Sequence, residues 1–299
     1  MGTTSSKNEL YADECIQLLK ETNLYDTLLQ EHSQILKDEV SYSHEVMMKP
    51  ENVLKNRYAD TFCMDQSRVI LPAKDGESDF INANHVDGHN ILGKFICCQA
   101  PLKKTAEDFW NMVFVYQVRV IVMLAKTVER GREVCYPYWS PIKGQKVAHG
   151  KFTIKTLKIK TSQYHVVTSL RVKDDTGASL DVKHFAYIDW PQDSLPRNLL
   201  NFLDFVLLVK KAQSIVEFGT EAGRYPPMVV HCSAGLNRTG AFCAIDIGLS
   251  QYDERTAINL ALIVRDLRKQ RSGSLTPGKH YVFCYLIMLM YVKIVDDRK

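Results

Sequence analysis

The spacing of apolar positions divides the chain into segments with a helical period and segments with a strand period. Residues 8 to about 37 carry apolar side chains at helical spacing, which predicts helices that pack on the outside of a domain. Residues 79–88 and 94–102 predict strands, and the nearly continuous apolar run at 118–124 predicts a strand buried on both faces. The apolar run at 282–292 is shorter than a membrane span and predicts a buried last helix.

The middle of the chain predicts antiparallel strands. Three β-rich segments lie between Gly150 and Ile188, with lysines that we expect on their solvent-facing sides. No stretch has the composition of a linker, and α/β folds reach the length of this 299-residue chain as single domains. A hydrophobic content of 45% is ordinary for a globular protein and is sufficient for a sizeable core.

The candidate chemistry is concentrated in residues 229–240, which have the sequence VVHCSAGLNRTG. The two valines indicate the end of a buried strand and a helix is expected from Thr239 to Ser250, so Cys232 to Arg238 form the loop between them. The N–H groups of such a loop, the helix N-terminus and the Arg238 guanidinium can together bind a phosphate-sized dianion. The same field favours a thiolate at Cys232, which would be a nucleophile beneath that phosphate. The alternative is an inert buried cysteine at a strand end.

This loop resembles the signature of the protein tyrosine phosphatases, His-Cys-Ser-Ala-Gly-x-Gly-Arg-Ser/Thr-Gly, and the resemblance continues in order over about residues 50 to 290. It implies an α/β fold: a twisted, mostly parallel mixed β-sheet with helices on both faces. We expect one catalytic domain at 38–299, with an N-terminal tail and helices at 1–37 packed on it. Asn237 stands where the signature has Gly, and Asn is the mildest replacement if the backbone there has a positive φ. The implied phosphate-binding and supporting residues of the loop are Ser233, Ala234, Gly235, Leu236, Asn237 and His231.

Two further segments resemble parts of the family's substrate site. Residues 55–71 resemble the phosphotyrosine-recognition loop, in which Tyr58 would lie against the substrate ring and Asp60 would accept hydrogen bonds from the peptide backbone. An aromatic wall sets the depth of the pocket, so that phosphoserine would not reach the nucleophile; the alternative is an ordinary packed tyrosine in a turn. Glu129 falls where the family has a carboxylate that braces Arg238, and the alternative is a solvated charge on a hairpin.

Two departures from the family pattern affect turnover. In the acid loop, Trp190 and Pro191 are followed by Gln192, where the family has the Asp that protonates the leaving tyrosine oxygen. Loss of a general acid typically lowers the rate by about a hundred- to ten-thousand-fold. Asp193 could substitute if the loop shifts register, although neighbouring side chains usually point to different sides.

The second departure is in residues 270–283, where the family places two glutamines that orient the hydrolytic water. Their positions hold Thr276 and His280, with Pro277 between them, so hydrolysis of a phosphocysteine is expected to be slow. Thr239 is intact, and we expect it to hydrogen-bond the Cys232 sulfur as that sulfur leaves.

Charge and cysteine content limit the partners and the compartment. A net charge of +4 does not suggest nucleic acid, although a mild positive field suits acidic phosphopeptides. The eight cysteines have neither metal-type CxxC pairs nor the spacing of a disulfide framework, which suits a reducing compartment such as the cytoplasm. We expect no metal, no other cofactor and no integral membrane segment. The N-terminus matches the Gly2 to Ser6 pattern for N-myristoylation, which would give weak membrane association; the alternative is a frayed polar tail.

Two functional hypotheses follow from these features. The first is a cytoplasmic protein tyrosine phosphatase that acts on phosphotyrosine-containing proteins through a phosphocysteine, with reduced turnover. The second is a phosphotyrosine-binding pseudophosphatase or substrate trap that shields its targets. A short chain with altered loops is also similar to the phosphatases carried by bracoviruses of parasitoid wasps, which act inside host insect cells.

Overall fold

The computed structural model describes residues 9–18, 20–38, 40–74, 76–218 and 225–298. The predicted myristoylation site at Gly2 lies outside the described residues. The strands are β1 (Leu10–Tyr11), β2 (Arg68–Ile70), β3 (Phe80–Gly88), β4 (Ile91–Cys98), β5 (Val120–Met123), β6 (Val128–Glu129), β7 (Arg132–Glu133), β8 (Lys146–His149), β9 (Phe152–Thr161), β10 (His165–Lys173), β11 (Ser179–Tyr187), β12 (Met228–His231) and β13 (Ala257–Ile258). The helices are α1 (Ala12–Leu18), α2 (Leu24–Lys37), α3 (Glu45–Met48), α4 (Pro50–Val53), α5 (Ala106–Val115), α6 (Leu199–Phe218), α7 (Asn237–Arg255), α8 (Leu260–Gln270) and α9 (Gly278–Asp296), and a 3₁₀ turn covers Lys103–Thr105.

One mixed sheet organises the described part of the chain. Its nine strands have the order β2-β3-β4-β12-β5-β11-β10-β9-β8. The centre is parallel, because β12 pairs in parallel with both β4 and β5, and β5 pairs in parallel with β11. The two flanks are antiparallel hairpins and meanders. The predicted fold class, a twisted mixed β-sheet flanked by helices, is therefore confirmed.

Helices cover both faces of β12, which explains its uninterrupted apolar sequence. Successive side chains of a strand point to opposite faces. Val230 accordingly packs in the cluster that includes residues of α6, α7 and α9, whereas Val229 packs in the cluster that includes residues of α5. Because the strand is anchored on both sides, the loop that follows it begins from a fixed point.

The N-terminal helices share the main core. Cys15 of α1 and Leu28 and Ile35 of α2 are buried in the same cluster as residues of α9. The division of the chain at residues 37 and 38 stays a prediction.

The end of β4 differs from the sequence-based expectation. This strand ends at Cys98, whereas the sequence predicted that it would end at Pro101. The Gln99 side chain instead accepts a hydrogen bond from Arg57 N and donates one to Lys55 O, at 2.8 and 2.7 Å. The next N–H group, of Ala100, donates to Ser233 O at 2.9 Å. The chain therefore leaves the sheet to contact the loop after β12.

The last helix, α9, is long and apolar enough by composition to cross a membrane. More than half of the relevant stretch is buried inside the domain, at 56%. The core helix of a globular domain meets the same two criteria, so this helix is weak evidence for a membrane span.

Candidate active site

The loop between β12 and α7 places a cysteine at the positive end of a helix. Cys232 follows the last residue of β12 and is buried, and Gly235 N donates a hydrogen bond to its Sγ at 3.3 Å. The left-handed residue of the loop is Gly235, with a φ of 72°. Asn237 is instead the first residue of α7 and has no positive φ, so the backbone strain considered at this position does not arise.

A buried arginine that the sequence analysis missed orients the loop. Arg271 is fully buried and donates to Gly235 O at 3.3 Å and to Ala234 O at 3.1 Å. The N–H of a trans peptide unit points away from its carbonyl, so the N–H groups of Gly235 and Leu236 face the opposite side, toward the sulfur. Arg271 lies in a polar, glycine-containing stretch, and no local signal in the sequence distinguishes it from an exposed loop residue.

Two neutral histidines and a tyrosine support the base of the loop. Tyr138 Oη lies 2.7 Å from His231 Nε2 and 2.8 Å from His184 Nε2, and His231 Nδ1 lies 3.2 Å from Cys232 O. All three side chains are buried. Burial lowers the pKa of His231 to about 4 and that of His184 to about 3, so both rings are uncharged at neutral pH. His231 therefore fixes the Cys232 backbone without adding charge.

The structure brings Glu129 and Arg238 together, although 109 positions separate them. Arg238 Nη1 and Nη2 donate to Glu129 Oε1 and Oε2 at 2.7 and 3.0 Å, and Nη1 also donates to Leu124 O at 3.0 Å. Burial lowers the pKa of Arg238, but the hydrogen bonds and charge of Glu129, together with other nearby groups, outweigh it, and the net shift of the pKa is upward. The bidentate contact fixes the plane of the guanidinium beside the loop.

Thr239 lies at the start of α7, directly after Arg238. Its side chain is buried, and Oγ1 has no hydrogen-bond partner among the described residues. The bond expected from this hydroxyl to the Cys232 sulfur concerns the step in which that sulfur leaves, and it stays a prediction.

A cavity opens above Cys232 and contains most of the predicted site residues. It is lined by Tyr58, Glu129, Val134, Gln192, Asp193, Ser194, Cys232, Ser233, Ala234, Asn237, Arg238, Pro277, Lys279 and His280. Tyr58 stands at its side and its Oη lies 2.7 Å from Ser233 Oγ. Asp60 is exposed and does not line this cavity, and its expected contact with the peptide backbone stays a prediction.

The acid loop presents two neighbouring side chains to the same cavity. Gln192 and Asp193 both line it, although neighbours were expected to diverge, and Asp193 has a left-handed backbone with a φ of 59°. The Asp193 carboxylate lies 2.9 Å from Arg130 Nη1, and both side chains are about two-thirds exposed, at 66% and 67%. Lys279 donates to the Asp193 carbonyl. The sequence analysis did not single out Arg130 or Lys279, although each is the immediate neighbour of a residue that it did consider.

Of the two positions where the family has water-orienting glutamines, only one faces the cavity. His280 is 6% exposed, lines the cavity and stacks on Trp190 with ring centroids 6.0 Å apart. Burial, followed by the charges of Lys279 and Arg238, lowers its pKa to about 4. Thr276 is exposed and its hydroxyl donates to Gly273 O at 2.8 Å. Within the described ranges, no group of three or more His, Cys, Asp or Glu side chains could hold a metal ion.

Comparison with known proteins defines the class to which this fold and site belong. Residues 52–290 match the model of the family described as protein-tyrosine phosphatase. The chain belongs to the protein-tyrosine phosphatase family, and the resemblance stated from the sequence is confirmed.

The chain is also similar to individual tyrosine phosphatases over most of its length. The chain is 43% identical over 296 residues to tyrosine phosphatase-like protein J1 of Microplitis demolitor bracovirus (isolate Webb), covering 98% of both chains. It is 39% identical over 291 residues to tyrosine phosphatase H2 of the same virus, covering 95% of this chain and 89% of that one. It is 34% identical over 274 residues to human tyrosine-protein phosphatase non-receptor type 9, covering 89% of this chain and 46% of that protein. The predicted similarity to bracovirus phosphatases is confirmed.

Proposed function

We propose that this protein-tyrosine phosphatase hydrolyses phosphotyrosine in proteins through a phosphocysteine on Cys232. One observation carries the proposal: the Cys232 sulfur accepts a hydrogen bond from a loop N–H beside the Arg238 guanidinium, beneath an open cavity. In the first step the thiolate attacks phosphorus, the S–P bond forms and the bond from phosphorus to the tyrosine oxygen breaks. In the second step water attacks phosphorus and returns the electron pair to sulfur.

Binding of the substrate uses both polar and aromatic parts of the cavity. The N–H groups that Arg271 turns inward, together with Arg238, would bind the phosphoryl oxygens. Tyr58, held by Ser233, forms a wall that a tyrosine ring can pack against and that leaves the nucleophile at the bottom. A phosphate on a short serine side chain would not span this depth.

Asp193 is our candidate for the general acid. It lines the cavity, whereas the neighbouring Gln192 has no proton to give. Its ion pair with Arg130 is largely exposed, and exposed pairs contribute only about 0–1 kcal/mol. Asp193 can therefore leave Arg130 and contact the oxygen of the leaving group at a low energetic cost.

The second candidate function is a phosphotyrosine-binding substrate trap. Two observations favour it: Gln192 occupies the cavity at the acid position, and the Thr276 hydroxyl is bonded to Gly273 O outside it. A trap would bind a phosphopeptide tightly and release negligible phosphate.

We further propose a cytoplasmic location, with phosphotyrosine-containing proteins as partners. The eight cysteines are all free and buried, which suits a reducing compartment and leaves the Cys232 thiol available. Acylation of Gly2 would add only weak membrane association. Incorporation of a labelled myristoyl group into the full chain, compared with Gly2→Ala, tests this part.

Phosphate release from a phosphotyrosyl peptide tests the proposed function. Wild-type protein should release phosphate over many turnovers, and Cys232→Ser should release none, because serine is not ionised in this loop. The matched control is Cys15→Ser, another buried cysteine, whose thiol lies 3.9 Å from Leu10 O in the N-terminal region. This control should keep wild-type activity; full activity in Cys232→Ser would overturn the mechanism.

The identity of the acid is tested by exchange at two adjacent positions. Asp193→Asn should lower kcat by about a hundred- to ten-thousand-fold for phosphotyrosine. It should have a smaller effect on p-nitrophenyl phosphate, whose leaving group needs no proton. Asp193 is not the acid if Asp193→Asn leaves kcat unchanged for phosphotyrosine and for p-nitrophenyl phosphate. If Gln192→Asp also raises kcat for phosphotyrosine strongly, the substrate trap is favoured.

A further inference from the structure

Three residues that line the cavity each have a buried polar atom with no hydrogen-bond partner within the described part of the chain. The atoms are Gln192 Oε1, Asn237 Oδ1 and His280 Nδ1. Buried polar groups are nearly always bonded, to protein or to water. Three of them on one cavity therefore indicate an occupant that the chain itself does not supply.

The chemistry of these atoms restricts the occupant. Two of them are amide oxygens, which only accept hydrogen bonds. A phosphoryl dianion also only accepts, so it cannot satisfy them. Water donates two hydrogen bonds and fits acceptors of this kind. The cavity thus presents separate partners for a phosphoryl group, on the loop after β12, and for a water molecule.

Resting on the proposed function, we propose that Asn237, His280 and Gln192 hold the water that hydrolyses the phosphocysteine, and that His280 accepts its proton. The water oxygen attacks phosphorus, the S–P bond breaks and its electron pair returns to Cys232 as a thiolate. One proton of the water passes to a ring nitrogen of His280, and phosphate leaves as the hydrogen phosphate dianion. The imidazolium then loses the proton to solvent.

The environment of His280 is compatible with this role. The ring is fixed by stacking on Trp190 and is neutral at pH 7, because burial, Lys279 and Arg238 lower its pKa. The carbonyl of Pro277 acts in the opposite direction. A phosphoryl group on Cys232 would add negative charge near the ring and favour its protonation. The ring is thus a free acceptor before the step and a stabilised cation during it.

Both residues at the centre of the proposal are departures from the family pattern. Asn237 replaces a signature glycine and His280 replaces a glutamine, and 43 positions separate them. Taken alone, each change looks like a loss. Their presence on one cavity, each with an unpartnered acceptor within the described ranges, indicates a replacement for the lost glutamines.

Pre-steady-state kinetics with p-nitrophenyl phosphate test the role of His280. His280→Ala should keep a burst of about one nitrophenol per enzyme, since formation of the phosphocysteine does not need the ring. Its steady-state rate should fall about a hundredfold, in line with loss of a general base. The KM should fall with it as the intermediate accumulates. Added imidazole should restore part of the rate.

His280→Gln and Asn237→Gly are the second and third variants. Glutamine can orient water but cannot take its proton, so His280→Gln should show the same burst and a steady-state rate between those of wild type and His280→Ala. Asn237→Gly removes one acceptor and should slow only the step after the burst. Retained bursts also show that the variants are folded.

His149→Ala is the matched control. This histidine likewise has a lowered pKa and a buried ring nitrogen without a partner in the described chain, but it lies in β8 and not on the cavity. It should behave as wild type. The proposal is overturned if both His280 variants have the wild-type steady-state rate. It is also overturned if His280→Gln loses both the nitrophenol burst and the steady-state rate. If wild type releases no phosphate at all, it is the proposed hydrolysis that fails.

Discussion

Gly235 shows how one residue fixes the loop that contains Cys232. Its φ is 72°, and an added Cβ would lie 2.1 Å from the Cys98 carbonyl oxygen at the end of β4. Neither the left-handed conformation nor the close backbone contact allows a side chain. We expect Gly235→Ala to displace the loop, to lower the free energy of unfolding by more than about 1 kcal/mol, and to abolish measurable phosphopeptide turnover.

Gly144→Ala separates the two effects. Gly144 has a similar φ of 85°, but no atom lies within 4 Å of its added Cβ. This variant should lose only the conformational part of the stability, about 1 kcal/mol, with activity unchanged. Urea denaturation and steady-state kinetics measure both; equal losses in the two variants would mean that the contact with β4 has no effect.

At the scale of elements, the hairpin of β6 and β7 connects the two halves of the site. Glu129 holds Arg238, our candidate for binding phosphate, and the next residue, Arg130, holds Asp193, our candidate for the general acid. The first contact is buried and the second is exposed. The hairpin therefore holds Arg238 firmly and Asp193 only loosely.

Glu129→Gln tests the buried contact between Glu129 and Arg238. The variant keeps the shape of the side chain but loses a charged hydrogen bond, which contributes about 1.5–3 kcal/mol. We expect the KM for a phosphopeptide to rise about ten- to a hundredfold because the guanidinium loses its fixed plane. Glu133→Gln, in the same hairpin but 4.0 Å from Arg57 and half exposed, should leave the KM unchanged. Equal KM values for both variants would contradict the bracing role.

At the scale of the whole molecule, three buried histidines make stability depend on pH. Burial lowers the pKa of His184 to about 3 and those of His231 and His280 to about 4. The unfolded chain, with values near 6.5, binds more protons in this range, so stability is complete above about pH 6.5 and falls as the pH falls toward 4. Each group can contribute on the order of a few kcal/mol.

Urea denaturation between pH 7 and pH 4.5 measures this dependence. The free energy of unfolding should decrease with falling pH, and His280→Gln should make the decrease shallower by the contribution of one group. A stability that does not change over this range would show that these rings are protonated in the folded state.

Features formed by residues close together in the sequence could be predicted from it, and contacts between distant residues could not. The strand, the loop and the helix at residues 228–255 are contiguous, and their order alone places Cys232 at a helix N-terminus. The mixed sheet was likewise predictable once the family resemblance was recognised. Backbone geometry within the loop was harder to infer: Asn237 has no positive φ, whereas the bond from the Thr239 hydroxyl to the leaving sulfur stays a prediction.

The sequence by itself determined the apolar strands, the loop that places Cys232 before a helix, and the two loops that depart from the family pattern, because each is a property of neighbouring residues. Only the tertiary structure decided which distant groups meet them. Arg271 lies 36 positions from Gly235, and His280 lies 43 from Asn237, yet each pair is brought together at the loop or its cavity. Such contacts depend on how helices pack across the sheet, and no local period or motif encodes that packing.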